Sequence, residues 1–173
     1  MELVEQLDFD VNLHELQKLT EDNIHKSISF RFGGFSVQHR KGMCNPWALY
    51  DGLESLTEYD NNTSEKDFAE LHEKFVNSEF VGIIKHFNLY RTRILRLEYK
   101  TCYKLHKDMT KRLHIPIFTN ENCFFYFPDY KKHYHLEEGK VYLVDTTKLH
   151  TFVNAYDSPR VHLVGCTDVK DLC

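Results

Sequence analysis

The chain has 173 residues, 42% of them hydrophobic, and carries 22 Lys and Arg against 26 Asp and Glu for a formal net charge of −4. That suffices for one domain with its own core and not comfortably for two, and the acidic balance argues against a dedicated nucleic-acid or membrane-surface binder. No stretch approaches membrane-spanning length, Met1–Asp8 lacks the pattern of a secretory signal, and five irregularly spaced Cys (Cys44, Cys102, Cys123, Cys166, Cys173) without a Cys-x-x-Cys read as reduced thiols of a cytoplasmic protein.

Residues 1–25 predict a lead-in with one short helix, capped by Asn12 and presenting Leu13, Leu16 and Leu19. Residues 28–40 predict a β-hairpin, with Gly33-Gly34 as its turn. The stretch 41–63 reads as irregular, with Asn45-Pro46, Asp51-Gly52 and Asn61-Asn62 as turn signals; Trp47, within it, is expected to be either a core anchor or a substrate contact. Ser64 and Asp67 resemble a capping box. Phe68, Leu71, Phe75, Val76, Ile83, Ile84 and Phe87 then keep helical spacing, which predicts a helix to about residue 87 with a bend or break at Asn77-Ser78. From Arg91 onward the pattern changes to short β-rich runs at 91–97, 99–106, 113–118, 123–127, 141–144, 150–153 and 161–166, separated by polar turns. Such spacing predicts a β-sandwich or jelly roll. The expected layout is one domain over 1–173: a helical and hairpin support to residue 89 and a β core over 90–168.

His106 and Asp108 stand two apart, which on a strand or its end puts both side chains on one face. His150 heads a later apolar strand. Two imidazoles and one carboxylate are the facial triad that holds Fe(II) and leaves positions open for a keto acid and dioxygen. Arg160 follows His150 by ten residues, after a turn at Asp157-Ser158-Pro159 that brings the chain back. A guanidinium buried there needs an anion, which a dicarboxylate co-substrate would supply. Arg112 and His114 share the polar face of a strand whose other face carries Leu113, Ile115 and Ile117. His114 is either a donor to a keto-acid carboxylate or a satisfied core histidine.

In order, these elements are His-x-Asp at 106–108, Arg112-Leu113-His114-Ile115-Pro116-Ile117, the Gly139-led strand Glu137 to Asp145, His150 and Arg160. Together they resemble the aspartyl/asparaginyl β-hydroxylase family of Fe(II)- and 2-oxoglutarate-dependent oxygenases, over about residues 90–166. The resemblance implies a double-stranded β-helix, mainly β with N-terminal helices. It implies His106, Asp108 and His150 as iron ligands, Arg160 on the distal carboxylate of 2-oxoglutarate, and Arg112 and His114 near that co-substrate. The chain departs from the family in three places. Asp108 is present where some protein-modifying members lack the acidic ligand, which makes the chain similar to the family's free-proline hydroxylases. Glu98-Tyr99-Lys100 replaces a Pro-Gly turn, and His162 stands where related oxygenases often have Ser.

The implied reaction hydroxylates an unactivated C–H of an amino acid or protein side chain, of the Asp, Asn or Pro kind, with Fe(II), 2-oxoglutarate and dioxygen, releasing succinate and CO2. Arg31, Arg40, Arg91, Arg93, Trp47 and Tyr126 are candidate substrate walls, and an Arg-rich wall suits a carboxylated substrate; the same arginines would also serve as surface ion pairs. Two other readings stay open at this point: a 2-oxoglutarate oxygenase acting on a nucleobase or other small metabolite, and a non-enzymatic jelly-roll binding module.

Overall fold

The computed structural model describes residues 2–24, 33–43 and 47–168. In chain order its regular elements are β1 (Val4–Leu7), α1 (Leu13–Ile24), β2 (Gly34–Ser36), β3 (Gln38–His39), β4 (Glu70–Leu71), α2 (Glu79–His86), β5 (Tyr90–Leu97), β6 (Thr101–Cys102), β7 (Arg112–Phe118), β8 (Cys123–Phe127), β9 (Lys132–Tyr134), β10 (Val141–Val144), β11 (Thr151–Asn154) and β12 (Arg160–Cys166). A six-stranded sheet runs β1-β10-β7-β12-β5-β2 and a four-stranded sheet β6-β11-β8-β9, with antiparallel pairing throughout. The two sheets face each other as a jelly roll, the double-stranded β-helix expected of this sequence.

Alternation along the central strands decides what lies on each side of the larger sheet. Leu113, Ile115 and Ile117 of β7, Ile94 of β5 and Val161 and Leu163 of β12 point to one face. There they form a core with Leu16 of α1 and Phe80, Ile83 and Phe87 on and beside α2. The helices therefore brace the outside of the larger sheet. The opposite face carries Arg112 and His114 of β7, Arg91 and Arg93 of β5, and Arg160 and His162 of β12, all buried. An antiparallel sheet with such a polar face usually turns it to water; here the smaller sheet covers it. A second apolar cluster of Leu3, Val4, Phe125, Phe127, Leu136, Tyr142 and Val144 joins the two sheets. The sandwich interior is thus divided between this apolar packing and a polar cavity.

Seven-residue β12 ties the roll together, lying between β7 and β5 with Leu163 opposite both Ile115 and Ile94. Most of the expected strands form within a residue of their expected ends. The exception is 99–106, which contracts to β6 and an isolated backbone bridge at His106. Strands β1 and β9 lie outside the expected set; β1 is short and pairs only with β10.

Three expectations are corrected. No continuous helix spans 64–87: the segment contains 3-10 turns at Glu65–Asp67 and Glu73–Phe75, the strand β4 and only then α2. The reason is tertiary competition for the backbone. The His72 N–H donates to the Val37 carbonyl (2.9 Å) and the Phe68 carbonyl accepts from Arg91 N–H (2.7 Å), so neither is free for a helical ladder. The box at Ser64 is real but caps a 3-10 turn, with Ser64 N–H donating to the Asp67 carboxylate at 2.6 Å. Second, Gly34, expected in the turn of the hairpin, opens strand β2, which pairs with β5; the hairpin's first arm, with Arg31, lies outside the described residues. Third, Trp47 is 68% exposed and anchors no core; Ala48 and Leu49 beside it are buried instead. The Asn12 cap holds, accepting from Glu15 N–H at 3.2 Å, and α1 and α2 cross-cap through Glu79 N–H to the Glu15 carboxylate at 2.9 Å.

Gly34 is the tightest backbone approach in the sheet: at φ +151° a Cβ there would meet the Ile94 carbonyl oxygen at 2.0 Å. Gly34→Ala is therefore expected to destabilise the protein by at least about 2 kcal/mol, read as a lowered urea midpoint. An unchanged midpoint would show that β2 does not dock on β5 this closely.

Candidate metal centre and co-substrate pocket

His106 and His150 lie on different segments and meet as an isolated antiparallel bridge. Each N–H donates to the other's carbonyl at 3.0 Å. This pairing sets the rings side by side, with centroids 4.3 Å apart. Each ring is then oriented the same way: Nδ1 of His106 bonds the Lys104 carbonyl (2.9 Å) and Nδ1 of His150 the Lys148 carbonyl (2.9 Å). A carbonyl only accepts, so both Nδ1 atoms donate, and Nε2 is the nitrogen that each ring, when neutral, offers to a metal. Burial is the main reason the His150 ring is held toward its neutral form.

Asp108 completes the group. Its backbone N–H donates to the Thr146 carbonyl (2.8 Å), fixing the turn after His106 against the segment that leads to His150. Its Oδ1 lies 3.9 Å from His106 Nε2 and its Oδ2 4.0 Å from His150 Nε2. The ligand atoms of the three residues all lie within 4.8 Å of one another, and the group is the single such cluster among the described residues. Two lone-pair nitrogens and one carboxylate converging in this way fit a ferrous ion.

The cluster opens into a cavity of about 380 Å³ between the sheets, lined among others by Arg93, His114, Phe125, Phe152 and Arg160. Arg160 is buried, with Nη2 donating to His162 Nδ1 at 2.8 Å. Its guanidinium stands 5.0 Å from the Phe152 ring centroid and 5.5 Å from that of Phe125. Burial presses its pKa down to about 9, so it is still a cation at neutral pH. No carboxylate pairs with it among the described residues. Burial, and next the Arg160 charge, hold His114 and His162 well below the usual imidazole range, so both are neutral. Because His162 Nδ1 accepts from Arg160, its proton is on Nε2, and that buried atom and His114 Nδ1 both lack partners. An unpaired buried cation beside unpaired imidazole nitrogens fits a small dicarboxylate and is costly without one.

The other expected wall residues divide. Arg112 is buried and committed: it pairs with Glu65 through both Nη atoms, reaches Asp108 Oδ1 at 3.2 Å, and donates to Thr110 Oγ1 at 2.6 Å. Arg91 is also spent, on Glu65 (3.2 Å) and on the Gly52 and Glu54 carbonyls. Arg93 is buried in the cavity wall with one long hydrogen bond, to the Gly52 carbonyl at 3.3 Å, and its Nε is unpartnered. Arg40 pairs with Asp51 at 2.9 Å, away from the cavity. Trp47 and Tyr126 do not line the cavity. Tyr126 points to the outer side of the smaller sheet because β8 alternates and Phe125 and Phe127 take the inside.

Glu65 went unnoticed in the sequence. It is 7% exposed and accepts from Arg112, Arg91 and Thr110 Oγ1 (2.8 Å). Its only sequence signal was its place beside a capping box, which pointed to a solvated first helical turn. The aromatic platforms Phe125 and Phe152 had no signal beyond strand alternation.

Comparison with known proteins gives three findings. Residues 47–170 match the family model described as aspartyl/asparaginyl beta-hydroxylase. No curated protein sequence matches the chain. Among solved structures, the fold is similar to the viral collagen prolyl hydroxylase vCPH of Paramecium bursaria Chlorella virus-1 in a 2OG complex, with TM-score 0.53 and 13% identity over 96% of this chain and 97% of that one. It is similar too to NgTET1 in complex with 5mC DNA, with TM-score 0.56 and 16% identity over 96% and 72% of the two chains. At these identities the likeness concerns the fold.

Burial alone would raise the Glu65 carboxyl, but the hydrogen bonds and charge of Arg112, aided by Thr110 and Arg91, outweigh it and hold it at about 2 against an ordinary 4.5. A carboxyl depressed on folding contributes stability that is full above its unfolded pKa and is lost as pH falls through the folded one. We expect Glu65 to contribute about 3 kcal/mol at neutral pH, lost between about pH 4.5 and 2. Urea midpoints across this range check it: Glu65→Gln should be less stable at pH 7 and should flatten the acid limb. A parallel pH profile for both proteins would contradict the assignment.

Proposed function

The chain belongs to the aspartyl/asparaginyl beta-hydroxylase family and is a 2-oxoglutarate-dependent dioxygenase, and on that premise we propose that it hydroxylates an unactivated C–H bond of an amino acid, free or within a protein, of the Asp, Asn or Pro kind. Its cofactor is Fe(II), and 2-oxoglutarate and dioxygen are its co-substrates. Family membership sets aside the non-enzymatic binding module. Among the described residues no helix is long and apolar enough to cross a membrane; the free thiols of Cys102, Cys123 and Cys166 suit a cytoplasmic protein.

One observation carries the reading: the His106, Asp108 and His150 ligand atoms converge within 4.8 Å at the wall of a cavity that also holds the unpaired Arg160 cation. In this proposal those three side chains hold the iron, and Arg160 binds the distal carboxylate of 2-oxoglutarate. When bound, iron supplies the redox chemistry by which one oxygen atom of O2 converts 2-oxoglutarate to succinate and CO2 while the other enters the substrate C–H bond. The chain's own residues contribute positioning. The Lys104 and Lys148 carbonyls keep Nε2 of each histidine aimed inward. Phe125 and Phe152 exclude water around Arg160 and strengthen its pairing with a carboxylate. His114 and His162, being neutral, offer hydrogen bonds to the co-substrate without adding charge.

Arg93 supports the substrate class. Among the described residues it is the wall arginine left without a carboxylate partner on the metal side of the cavity, and burial, then the neighbouring Arg91, press it only down to about 9. A cation there suits a substrate that carries its own carboxylate. A nucleobase supplies none, which favours the amino-acid reading over the nucleobase one.

The first test is conversion of 2-oxoglutarate to succinate by purified protein with Fe(II), together with direct binding of metal and keto acid. His106→Ala should abolish metal binding. Arg160→Ala should weaken 2-oxoglutarate binding by at least about 30-fold, the loss of a buried charged partner being about 2 kcal/mol or more. Wild-type affinity for both ligands in these variants would overturn the site. A mass-spectrometric screen of amino acids and peptides for gain of one oxygen atom identifies the substrate. Arg93→Gln should then raise the KM for that substrate while 2-oxoglutarate binding stays unchanged; an unaltered KM would remove Arg93 from the substrate site.

A further inference from the structure

We infer that Glu65 and Arg112 act together as the positioning residues of the carboxylate ligand: Arg112 orients Asp108, and Glu65 engages Arg112 so that the Asp108 oxygens stay available to the metal. The inference rests on the reading of His106, Asp108 and His150 as the metal triad, and adds to it a buried carboxylate from the segment that supports the sheets.

The geometry is specific. Asp108 Oδ1 faces two groups, His106 Nε2 at 3.9 Å and Arg112 Nη2 at 3.2 Å. A guanidinium that close orients the carboxylate but also competes with a metal for the same oxygen's electrons. The competition is settled behind Arg112. Its Nη1 donates to Glu65 Oε2 at 3.0 Å and to Thr110 Oγ1 at 2.6 Å, and its Nη2 also bonds Glu65 Oε1. The fork is therefore bidentate toward Glu65 and single toward Asp108. Arg112 and Glu65 are 4% and 7% exposed in their side chains, so solvent does little to screen either charge. Asp108, at 23%, is the most accessible of the three and the one left with a free oxygen, Oδ2, aimed at His150.

Glu65 is itself held from three sides. Arg91 donates to its Oε1 at 3.2 Å, Thr110 to its Oε2 at 2.8 Å, and Arg112 to both oxygens. Thr110 closes the loop, because its carbonyl accepts from Thr146 Oγ1 at 2.8 Å and the Thr146 carbonyl accepts the Asp108 N–H at 2.8 Å. The backbone and the side chain of Asp108 are thus anchored through one connected set of bonds. Its charges are two arginines against two carboxylates, and removing Glu65 alone leaves Arg112 with Asp108 as its nearest anion.

The test reads metal affinity with Mn(II) as a redox-stable probe, by calorimetry, alongside the melting temperature of the metal-free proteins. Glu65→Gln is expected to bind Mn(II) about 10- to 100-fold more weakly, the usual range for loss of a group that orients a ligand. The double variant Glu65→Gln/Arg112→Gln removes the uncompensated cation as well and is expected to recover part of that affinity, binding more tightly than Glu65→Gln but, with Arg112 no longer orienting Asp108, more weakly than the parent; it also stays less stable than the parent. A purely structural pair would not give such recovery. Glu65→Gln binding Mn(II) like the parent, or a double variant that binds no more tightly than Glu65→Gln, overturns the inference. If Glu65→Gln does not fold, the double variant decides: affinity within about tenfold of the parent supports the inference, and absence of binding refutes it. A parent protein that binds no Mn(II) would refute the triad itself, an outcome separate from these.

Discussion

The site depends on one backbone constraint: His106 and His150 are a two-residue antiparallel bridge, isolated from the named strands, in which each N–H donates to the other's carbonyl. Two imidazoles brought together on flexible side chains would repel water poorly and point anywhere. Here the bridge fixes the separation of the backbones, and a carbonyl two residues before each histidine fixes its ring and its tautomer. The ordering entropy of the site is therefore met during folding rather than on metal binding. What remains for the metal is to hold three donors already gathered on one side.

The larger sheet supplies the rest by carrying two incompatible faces. Its outer face is a conventional apolar core under α1 and α2. Its inner face places Arg93, Arg112, His114, Arg160 and His162 out of water. A buried polar face of this kind is unfavourable unless each charge finds a partner. Arg112 and Arg91 find Glu65. Arg160 and Arg93 find none among the residues described, and these are the two groups assigned to the co-substrate and the substrate. On the proposed function, the pattern of satisfied and unsatisfied cations would separate architecture from binding within one cavity.

The family's fold and the chain's departures from it are compatible for the same reason. Asp108 brings a negative charge into the cavity, and Arg112, which the family resemblance associates with the co-substrate, is turned toward that charge and toward Glu65. His162, at a position often occupied by Ser, serves as the acceptor that orients Arg160. An imidazole kept neutral by burial does this without cancelling the cation.

Much of this was legible in the sequence. Apart from β9 and the shortened β6, the strands from Tyr90 onward announced themselves by alternation and by the turns between them, because period two is a local property. The spacing of His106, Asp108 and His150 pointed to a metal site, and the structure brings their ligand atoms within 4.8 Å of one another. The apparent helix over 64–87 misled, as its backbone groups are taken by β3 and β5, partners that no window of sequence contains. For the same reason Glu65 went unnoticed, Trp47 is neither the core anchor nor the substrate contact expected of it, and Arg91 looked no different from Arg93. Whether a guanidinium is paired or free depends on which carboxylate arrives from another part of the chain. Residue spacing determined what the site is made of; long-range pairing of buried charges decided which of its arginines are left to bind something else.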